Sequence, residues 1–269
     1  MLETVNLEQK LSRETFKKQI PALQRRLYDL EKACWDHRVS SILLFEGWDA
    51  AGKGGAISTL TQRLDPRGFK LYSIQAPRTY EQNHPWLWRF WLKAPSRGEM
   101  VIFDHSWYYR TLIERVEKLV PPKGWRQAFQ DIVEFERMLA DDGCVIVKFF
   151  LHIAKKEQKR RFRGIERDPL ESWRVTAEDW RRHKKYGEYL EAAEEMFELT
   201  ESEYAPWTIV EATSRWHARR KIFDTTIAAL EKRLGEKAPP VEKAGLDYTK
   251  DSELREMVES LEGGEEEGA

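Results

Sequence analysis

The chain has 269 residues, of which 41% are hydrophobic and 34% are charged, a globular composition that excludes wholesale disorder and collagen-like repeats. It contains no apolar run of about 18 residues, and charged residues within the first 20 positions argue against a secretory signal, so we expect a cytoplasmic protein that does not bind membranes. The net charge of −1 is unevenly distributed, because residues 251–269 carry eight acidic side chains against one arginine and residues 155–185 carry twelve basic against six acidic ones.

Apolar runs and turn residues predict alternating helices and strands. The first helix is predicted over residues 7–35, with a kink or break at Pro21, because proline disrupts a helix interior. Short apolar runs predict five strands, at residues 40–46, 69–75, 100–104, 143–151 and 207–211. Helical patterns fill the intervals, at residues 53–64, 84–93, 106–118, 125–141, 155–164, 177–200 and 214–234. Strands that alternate with helices predict an α/β fold with a parallel sheet covered on both faces.

The strongest local motif is the glycine-rich segment 47–55, which reads GWDAAGKGG and matches the phosphate-binding pattern G-x-x-x-x-G-K. It lies between a predicted strand and a predicted helix, where backbone amides, the helix N-terminus and Lys53 can face one phosphate group. The alternative is a glycine-rich turn without a ligand, which this context disfavours. The predicted phosphate-binding residues of the loop are Gly47, Ala50, Ala51, Gly52, Lys53, Gly54 and Gly55.

Two carboxylates are candidate metal ligands. Phosphate loops usually continue with Ser or Thr, whose hydroxyl holds Mg²⁺, but this chain has Gly54, so another oxygen is needed. Asp49 lies inside the loop, and Asp104 ends a predicted core strand, at the edge where open α/β sheets bind ligands. The alternative for Asp104 is a helix N-cap of the segment that begins at Ser106.

The basic segment 155–185 predicts an anionic partner, because arginine binds phosphate oxygens in pairs. It follows the fourth strand, where small phosphotransferases carry a closing lid; the alternative is a solvated helix face. A nucleic-acid partner is disfavoured, because the basic residues are confined to one segment without interleaved aromatics. We therefore expect a helical extension over residues 1–36, a core over 37–235 with its lid at about 155–185, and an acidic, disordered tail over 236–269.

Six blocks, in order, resemble the family-2 polyphosphate kinases, P-loop phosphotransferases that move phosphate between polyphosphate and nucleotides. They are GWDAAGKGG at 47–55, LDPRG at 64–68, WLWRFW at 86–91, FDHSWY at 103–108, DP at 168–169 with Trp173, and APW at 205–207. The resemblance covers roughly residues 7–234 and is greater to the AMP-phosphorylating branch than to the ADP-preferring one.

The resemblance implies a thymidylate-kinase-like P-loop fold with a five-stranded parallel sheet and an Arg-rich helical lid. It implies Mg²⁺, with Mn²⁺ as a substitute, as the metal, inorganic polyphosphate and AMP or ADP as substrates, GMP or GDP as further acceptors to test, and a homo-oligomer, either a dimer or a tetramer. By the resemblance Asp49 and Asp104 hold the metal. The implied catalytic residues are Asp49, Lys53, Asp104, Arg163 and Arg167, and the implied phosphate contacts outside the loop are His105, Arg110, Arg160 and Arg161.

Three positions depart from the family pattern. His105 replaces an arginine, so a phosphate contact there would be weaker and pH-dependent. Tyr109 replaces a residue that is often Asn, Gly or Glu, which leaves the preferred nucleotide open. Ile165 replaces a common lid arginine, and Arg163 and Arg167 flank it as substitutes.

The leading hypothesis is a reversible, Mg²⁺-dependent transfer of the terminal phosphoryl group of polyphosphate to AMP or ADP. Two alternatives stay open: an ATP-dependent nucleotide kinase on the same fold, and a polyphosphate-binding module without catalytic activity.

Overall fold

A computed structural model describes residues 2–235 of the chain. The strands are β1 (Ser41–Gly47), β2 (Phe69–Ser73), β3 (Met100–Asp104), β4 (Val145–His152) and β5 (Trp207–Glu211). The helices are α1 (Arg13–Asp36), α2 (Lys53–Thr61), α3 (Thr79–Gln82), α4 (Trp88–Trp91), α5 (Ile113–Val116), α6 (Pro122–Asp141), α7 (Lys155–Glu166), α8 (Ala177–Lys184), α9 (Tyr186–Thr200) and α10 (Arg215–Gly235). Short 3-10 turns lie at Leu2–Thr4, Trp107–Tyr109 and Ser172–Arg174.

The described strands form one parallel sheet in the order β2-β3-β1-β4-β5, which confirms the predicted α/β fold. The central strands β1 and β4 are almost wholly buried, as expected for a parallel sheet with helices on both faces. In the sheet register Phe45 of β1 lies beside Asp104 of β3, and Gly47 lies beside Leu151 of β4. The carboxyl ends of three neighbouring strands therefore meet at one edge.

The helix α1 differs from its prediction in its first residue and in its continuity at Pro21. It begins at Arg13, where the Ser12 side chain accepts a hydrogen bond from the Thr15 amide, rather than at residue 7. It also continues through Pro21, so a break there, one of the two predicted alternatives, is wrong. Packing explains the continuity, since α1 contacts α10 on both sides of Pro21, through the Phe16–Trp216 ring pair at 5.3 Å and the Arg26–Glu231 ion pair.

Three predicted helices are shortened or divided in the structure. Residues 84–93 form only the short α4 after α3, and residues 106–118 form a 3-10 turn and α5. The predicted helix 177–200 breaks at Lys185, whose ammonium group donates to Glu117 near the end of α5. A capping box of Thr176 and Asp179 begins α8. Tertiary contacts thus end helices where the local pattern would continue them.

The described residues 2–235 lie in one compact unit, in which α1 packs on α10 and α10 packs on the sheet. None of the helices in the described residues 2–235 combines the length and apolarity needed to cross a membrane. The predicted acidic tail over residues 236–269 lies outside the described residues.

Candidate phosphoryl-transfer site

The phosphate-loop motif folds as a tight turn between β1 and α2. Gly47 and Gly52 adopt φ angles of +124° and +106°, which side chains disfavour, and a Cβ atom at Gly47 would lie 2.3 Å from the carbonyl oxygen of Leu151. Lys53 begins α2, and its buried ammonium group donates to the carbonyls of Gly47 at 2.9 Å and Trp48 at 3.3 Å. The loop is therefore built around its own lysine, in the strand–turn–helix context that the motif requires.

The two predicted metal ligands lie at the same edge of the sheet. Asp49 follows β1 by two residues, and Asp104 is the last residue of β3, the neighbour of β1. One carboxylate oxygen of Asp104, Oδ1, is buried and has no hydrogen-bond partner among residues 2–235. The alternative role of Asp104 as an N-cap is wrong, because Ser106 accepts the hydrogen bond from the Tyr108 amide.

Glu46 was not predicted as a site residue, yet it organises the segment after Asp104. Its carboxylate is only 1% exposed. One oxygen accepts from the amide and the hydroxyl of Ser106, both at 2.7 Å, and the other lies 3.0 Å from Nδ1 of His105. Burial opposes ionisation, but the His105 and Ser106 donors outweigh it and lower the pKa of Glu46. His105, at φ +59°, is thus held by Glu46.

Arg161 holds the phosphate loop from the lid side. Its guanidinium donates to the carbonyls of Ala50 and Ala51, both at 2.9 Å, and to those of Ala212 at 2.6 Å and Thr213 at 3.0 Å. The remaining N–H donates to Glu157. All five N–H groups of the side chain are therefore in use, and in this conformation none is available for the phosphate contact that the sequence predicted.

A large cavity of about 530 Å³ lies between the phosphate loop and α7. Its walls include Ala50, Ala51, Gly52 and Gly55 of the loop region. Five arginines also line it: Arg160, Arg161, Arg174, Arg215 and Arg219.

Position 165, where this chain has isoleucine in place of the lid arginine common in the family, faces this cavity. Ile165 is one of the lining residues, whereas its predicted substitutes Arg163 and Arg167 are not. Both arginines are exposed and make no side-chain hydrogen bond or ion pair within residues 2–235. Of the five arginines that line the cavity with Ile165, two therefore come from α7 and three from the 3-10 turn after α7 and from α10.

A second cavity, of about 470 Å³, lies beside the 3-10 turn that follows Asp104. Its lining includes the rings of Trp86 and Tyr109 and the guanidinium groups of Arg89 and Arg110. Arg110 donates to Glu114 at 2.7 Å and lies 5.1 Å from the centroid of the Trp86 ring. The Nε atoms of both arginines are buried and lack a hydrogen-bond partner among the described residues. Arg89 was not predicted; the WLWRFW block was its only sequence signal.

A small cavity of about 40 Å³ joins the predicted residues to the lid. Gly47 and Asp49 of the loop, His105 after β3, and Arg182 of α8 all line it. Sequence reasoning placed Arg182 only in the basic segment, because nothing local distinguishes it from its charged neighbours. The phosphate loop, the segment that follows Asp104 and the predicted lid segment therefore meet at this small cavity.

Comparison with known proteins shows the family of the chain. The sequence model of the family described as Polyphosphate kinase 2 matches residues 10–238. The chain belongs to the polyphosphate kinase 2 family. It is 41% identical over 231 residues to the polyphosphate:AMP phosphotransferase of Pseudomonas aeruginosa, covering 86% of this chain and 47% of that protein. This chain therefore spans about half the length of that curated relative.

Two further matches support the family assignment. The AMP/ADP-polyphosphate phosphotransferase of Meiothermus ruber is 34% identical over 215 residues, which cover 79% of this chain and 80% of that protein. A crystal structure assigned to polyphosphate kinase 2 of Arthrobacter aurescens superposes with a TM-score of 0.83 at 30% identity, covering 86% of this chain and 85% of that one. The family resemblance and the P-loop kinase fold predicted from the sequence are thus confirmed.

Proposed function

We propose that this chain transfers the terminal phosphoryl group of inorganic polyphosphate reversibly to a nucleotide, with AMP favoured and ADP second. The observation that carries the proposal is an arginine-lined cavity against the phosphate loop together with a second one beside the turn that follows Asp104 on the neighbouring strand. The cavity of about 530 Å³ touches the loop itself, and the cavity of about 470 Å³ begins at the turn after Asp104. Phosphoryl transfer requires a donor and an acceptor aligned on either side of the transferred group, and this arrangement supplies both places.

The cavity of about 470 Å³ suits the nucleotide acceptor. Its rings offer an apolar surface for a base, and Arg89 and Arg110 offer donors for a phosphate. The buried Nε atom of Arg110 has no hydrogen-bond partner among residues 2–235, and that of Arg89 has only an ion pair with Glu81 at 3.4 Å, so a ligand phosphate would supply the missing hydrogen bonds. The names of the relatives from Pseudomonas aeruginosa and Meiothermus ruber support AMP, and AMP or ADP, respectively.

The cavity of about 530 Å³ suits the polyphosphate chain. Arg160, Arg174, Arg215 and Arg219 present guanidinium groups without aromatic walls, as a repeating anion without a base requires. Arg219 lies close to Arg215, and burial together with this neighbouring charge lowers the pKa of its guanidinium, an unfavourable arrangement that a bound anion would relieve. Lys53 and the loop amides would then hold the phosphoryl group that is transferred.

Asp49 and Asp104 fit a divalent cation. No cluster of three or more metal-ligating side chains occurs within the part of the chain that is described. Mg²⁺, however, commonly takes one or two carboxylates and completes its shell with waters and substrate phosphates. The buried, unpartnered oxygen of Asp104 is a suitable donor for this hard cation. When bound, Mg²⁺ or Mn²⁺ would neutralise the charge that develops between donor and acceptor.

A donor–acceptor matrix tests the proposal. The chain is incubated with long-chain polyphosphate or ATP and with AMP, ADP, GMP or GDP, in the presence of Mg²⁺, and nucleotide products are quantified. We expect ADP from polyphosphate and AMP, and loss of this activity in Lys53→Ala. Product from ATP alone would favour an ATP-dependent kinase. Polyphosphate binding without turnover, unchanged by Lys53→Ala, would favour a binding module and refute catalysis.

We also propose a homo-oligomer, a dimer or tetramer, in the cytoplasm. Helix α1 supports the association, because Tyr28 and Trp35 lie seven residues apart on it and are both exposed. Sedimentation of the purified chain measures the oligomeric state directly, and a monomer at all concentrations would contradict this part of the proposal.

A further inference from the structure

Arg182 of the predicted lid segment lies beside the Asp49 carboxylate of the phosphate loop. It lies on α8, and its Nη1 atom is 3.8 Å from Oδ2 of Asp49. The side chain is 19% exposed and lines the small cavity that Gly47, Asp49 and His105 share. Within the described residues it is the single lysine or arginine of that cavity's lining. The Asp49 carboxylate therefore has a guanidinium group beside it.

Two hydrogen bonds connect the residue next to Arg182 with the phosphate loop. The His183 ring is buried, and its Nδ1 lies 2.7 Å from the side-chain oxygen of Gln158 on α7. The amide nitrogen of Gln158 in turn donates to the backbone carbonyl of Asp49 at 3.2 Å. These two hydrogen bonds link α8 to the phosphate loop through α7. The fold therefore holds the Arg182 backbone close to the loop, and its side chain is largely buried there.

The hydrogen bonding of the Arg182 guanidinium is incomplete. Nη2 donates to Glu178 at 2.5 Å, one helical turn earlier, whereas the buried Nε has no partner among residues 2–235. The Asp49 charge raises the pKa of Arg182 against the opposing effect of burial, so the group is a permanent cation. A buried N–H without a partner, at the mouth of a phosphate loop, is arranged to receive an anionic oxygen.

Lys53 does not fill this position in the structure. Its ammonium group is directed to the carbonyls of Gly47 and Trp48, on the inner side of the loop. In phosphoryl transfer, negative charge is spread over the equatorial oxygens of the transferred group, and a guanidinium on those oxygens lowers the barrier. The cavity at Asp49 thus needs a second cation, and Arg182 supplies it.

We propose that Arg182 is a catalytic residue that stabilises the transferred phosphoryl group. This inference rests on the proposed function. The nucleotide phosphate oxygen forms a new P–O bond as the terminal P–O bond of polyphosphate breaks, and the shortened polyphosphate leaves with the bonding electron pair. Arg182 exchanges its contact with Asp49 for the equatorial oxygens and donates hydrogen bonds without giving up a proton.

Arg182→Gln is compared with the matched control Arg181→Gln. Arg181 is the preceding residue, is 54% exposed, and pairs with Glu117 and Glu178 outside the small cavity. We expect Arg182→Gln to lower kcat by about 10²–10³-fold with the KM for AMP changed by less than about threefold, since the contact forms in the transition state. Arg181→Gln should stay within about threefold of the wild-type kcat.

Chemical rescue separates a catalytic role from a structural one. Guanidinium chloride at about 20 mM should raise the kcat of Arg182→Ala at least about fivefold and should not raise that of Arg181→Ala, because only the former lacks a guanidinium at the reacting oxygens. If Arg182→Gln does not fold, Arg182→Lys decides: a kcat reduced at least about tenfold at an unchanged melting temperature supports the role, because a lysine cannot reproduce the planar fork.

The outcomes distinguish the two proposals. Wild-type turnover together with a normal kcat in Arg182→Gln, or no rescue in Arg182→Ala, would overturn the role of Arg182 and leave the proposed function intact. A wild-type chain without turnover in the donor–acceptor matrix would overturn the proposed function, and the catalytic role of Arg182 with it.

Discussion

A buried ion pair beneath the site provides the sharpest test of how the fold supports the Asp104 segment. Lys148 of β4 is 0% exposed, and its ammonium group lies 2.9 Å from Oε2 of Glu136 on α6. It also donates to the hydroxyl of Tyr108 at 3.0 Å and to the carbonyl of Thr200 at 2.9 Å. The other oxygen of Glu136 accepts from the Trp107 indole and the Tyr108 hydroxyl, both at 2.9 Å. The turn after Asp104 is thus anchored to a charged centre.

The variant Lys148→Met removes the cation and keeps most of the side-chain volume. It leaves the Glu136 carboxylate buried without its counter-charge, and breaking a buried pair in this way destabilises proteins by about 3–5 kcal/mol. We expect a loss of this size in the free energy of unfolding at pH 8. Because the pair supports Trp107 and Tyr108, we also expect a lower kcat at temperatures where the variant is folded.

The loss should depend on pH in a defined direction. Burial already raises the pKa of Glu136 beside Lys148, and removal of the lysine raises it further. Above the unfolded-state pKa of about 4.3, the unfolded chain gives up this proton while the folded variant keeps it. The variant therefore loses about 1.4 kcal/mol per pH unit, until the folded-state pKa is passed, and the deficit should be larger at pH 8 than at pH 5.

Urea unfolding at pH 5 and pH 8 measures both effects. In Glu136→Gln/Lys148→Met the buried charge is absent and the acceptor for Trp107 and Tyr108 is retained, so at least about 1 kcal/mol should be recovered at pH 8. The exposed pair of Lys32 and Asp36 gives the surface control, and Lys32→Met should change stability by less than about 1 kcal/mol. A Lys148→Met variant within about 1 kcal/mol of the wild type at pH 8 would refute this reasoning.

Three further variants test the loop and the acceptor cavity. Gly47→Ala should lose at least about 2 kcal/mol of stability and most activity, since its Cβ would lie 2.3 Å from a Leu151 backbone oxygen; normal thermal unfolding and turnover would contradict this. Arg161→Lys should lower the free energy of urea unfolding by about 2 kcal/mol, because lysine cannot donate to all four carbonyls, and an unchanged unfolding midpoint would contradict it. Trp86→Ala should raise the KM for AMP at least about fivefold while the KM for polyphosphate stays constant, since base stacking contributes about 1–3 kcal/mol; an unchanged KM for AMP in steady-state kinetics would count against the cavity assignment.

Features that depend on nearby residues were predictable. The five predicted strands are present with ends shifted by at most two residues, because a continuous apolar run between turns defines a buried parallel strand locally. The phosphate loop was predictable for the same reason, because its glycines permit the local backbone turn and Lys53 donates to a carbonyl only six residues away. The position of Asp104 beside the loop followed from the rule that carboxyl ends of parallel strands share an edge.

The sequence by itself determined the sheet, the loop and the class of chemistry, because these follow from apolar periodicity and from motifs contained in short segments. Only the tertiary structure decided which contacts the individual charged residues make. Neither residue type nor local sequence distinguishes Glu46, Arg161 and Arg182 from the many other charged residues of the chain. Their partners lie 59, 111 and 133 positions away in the sequence. Charge acts through distance in space, so its role is set by the packing of β1, β3, α7 and α8 around the phosphate loop.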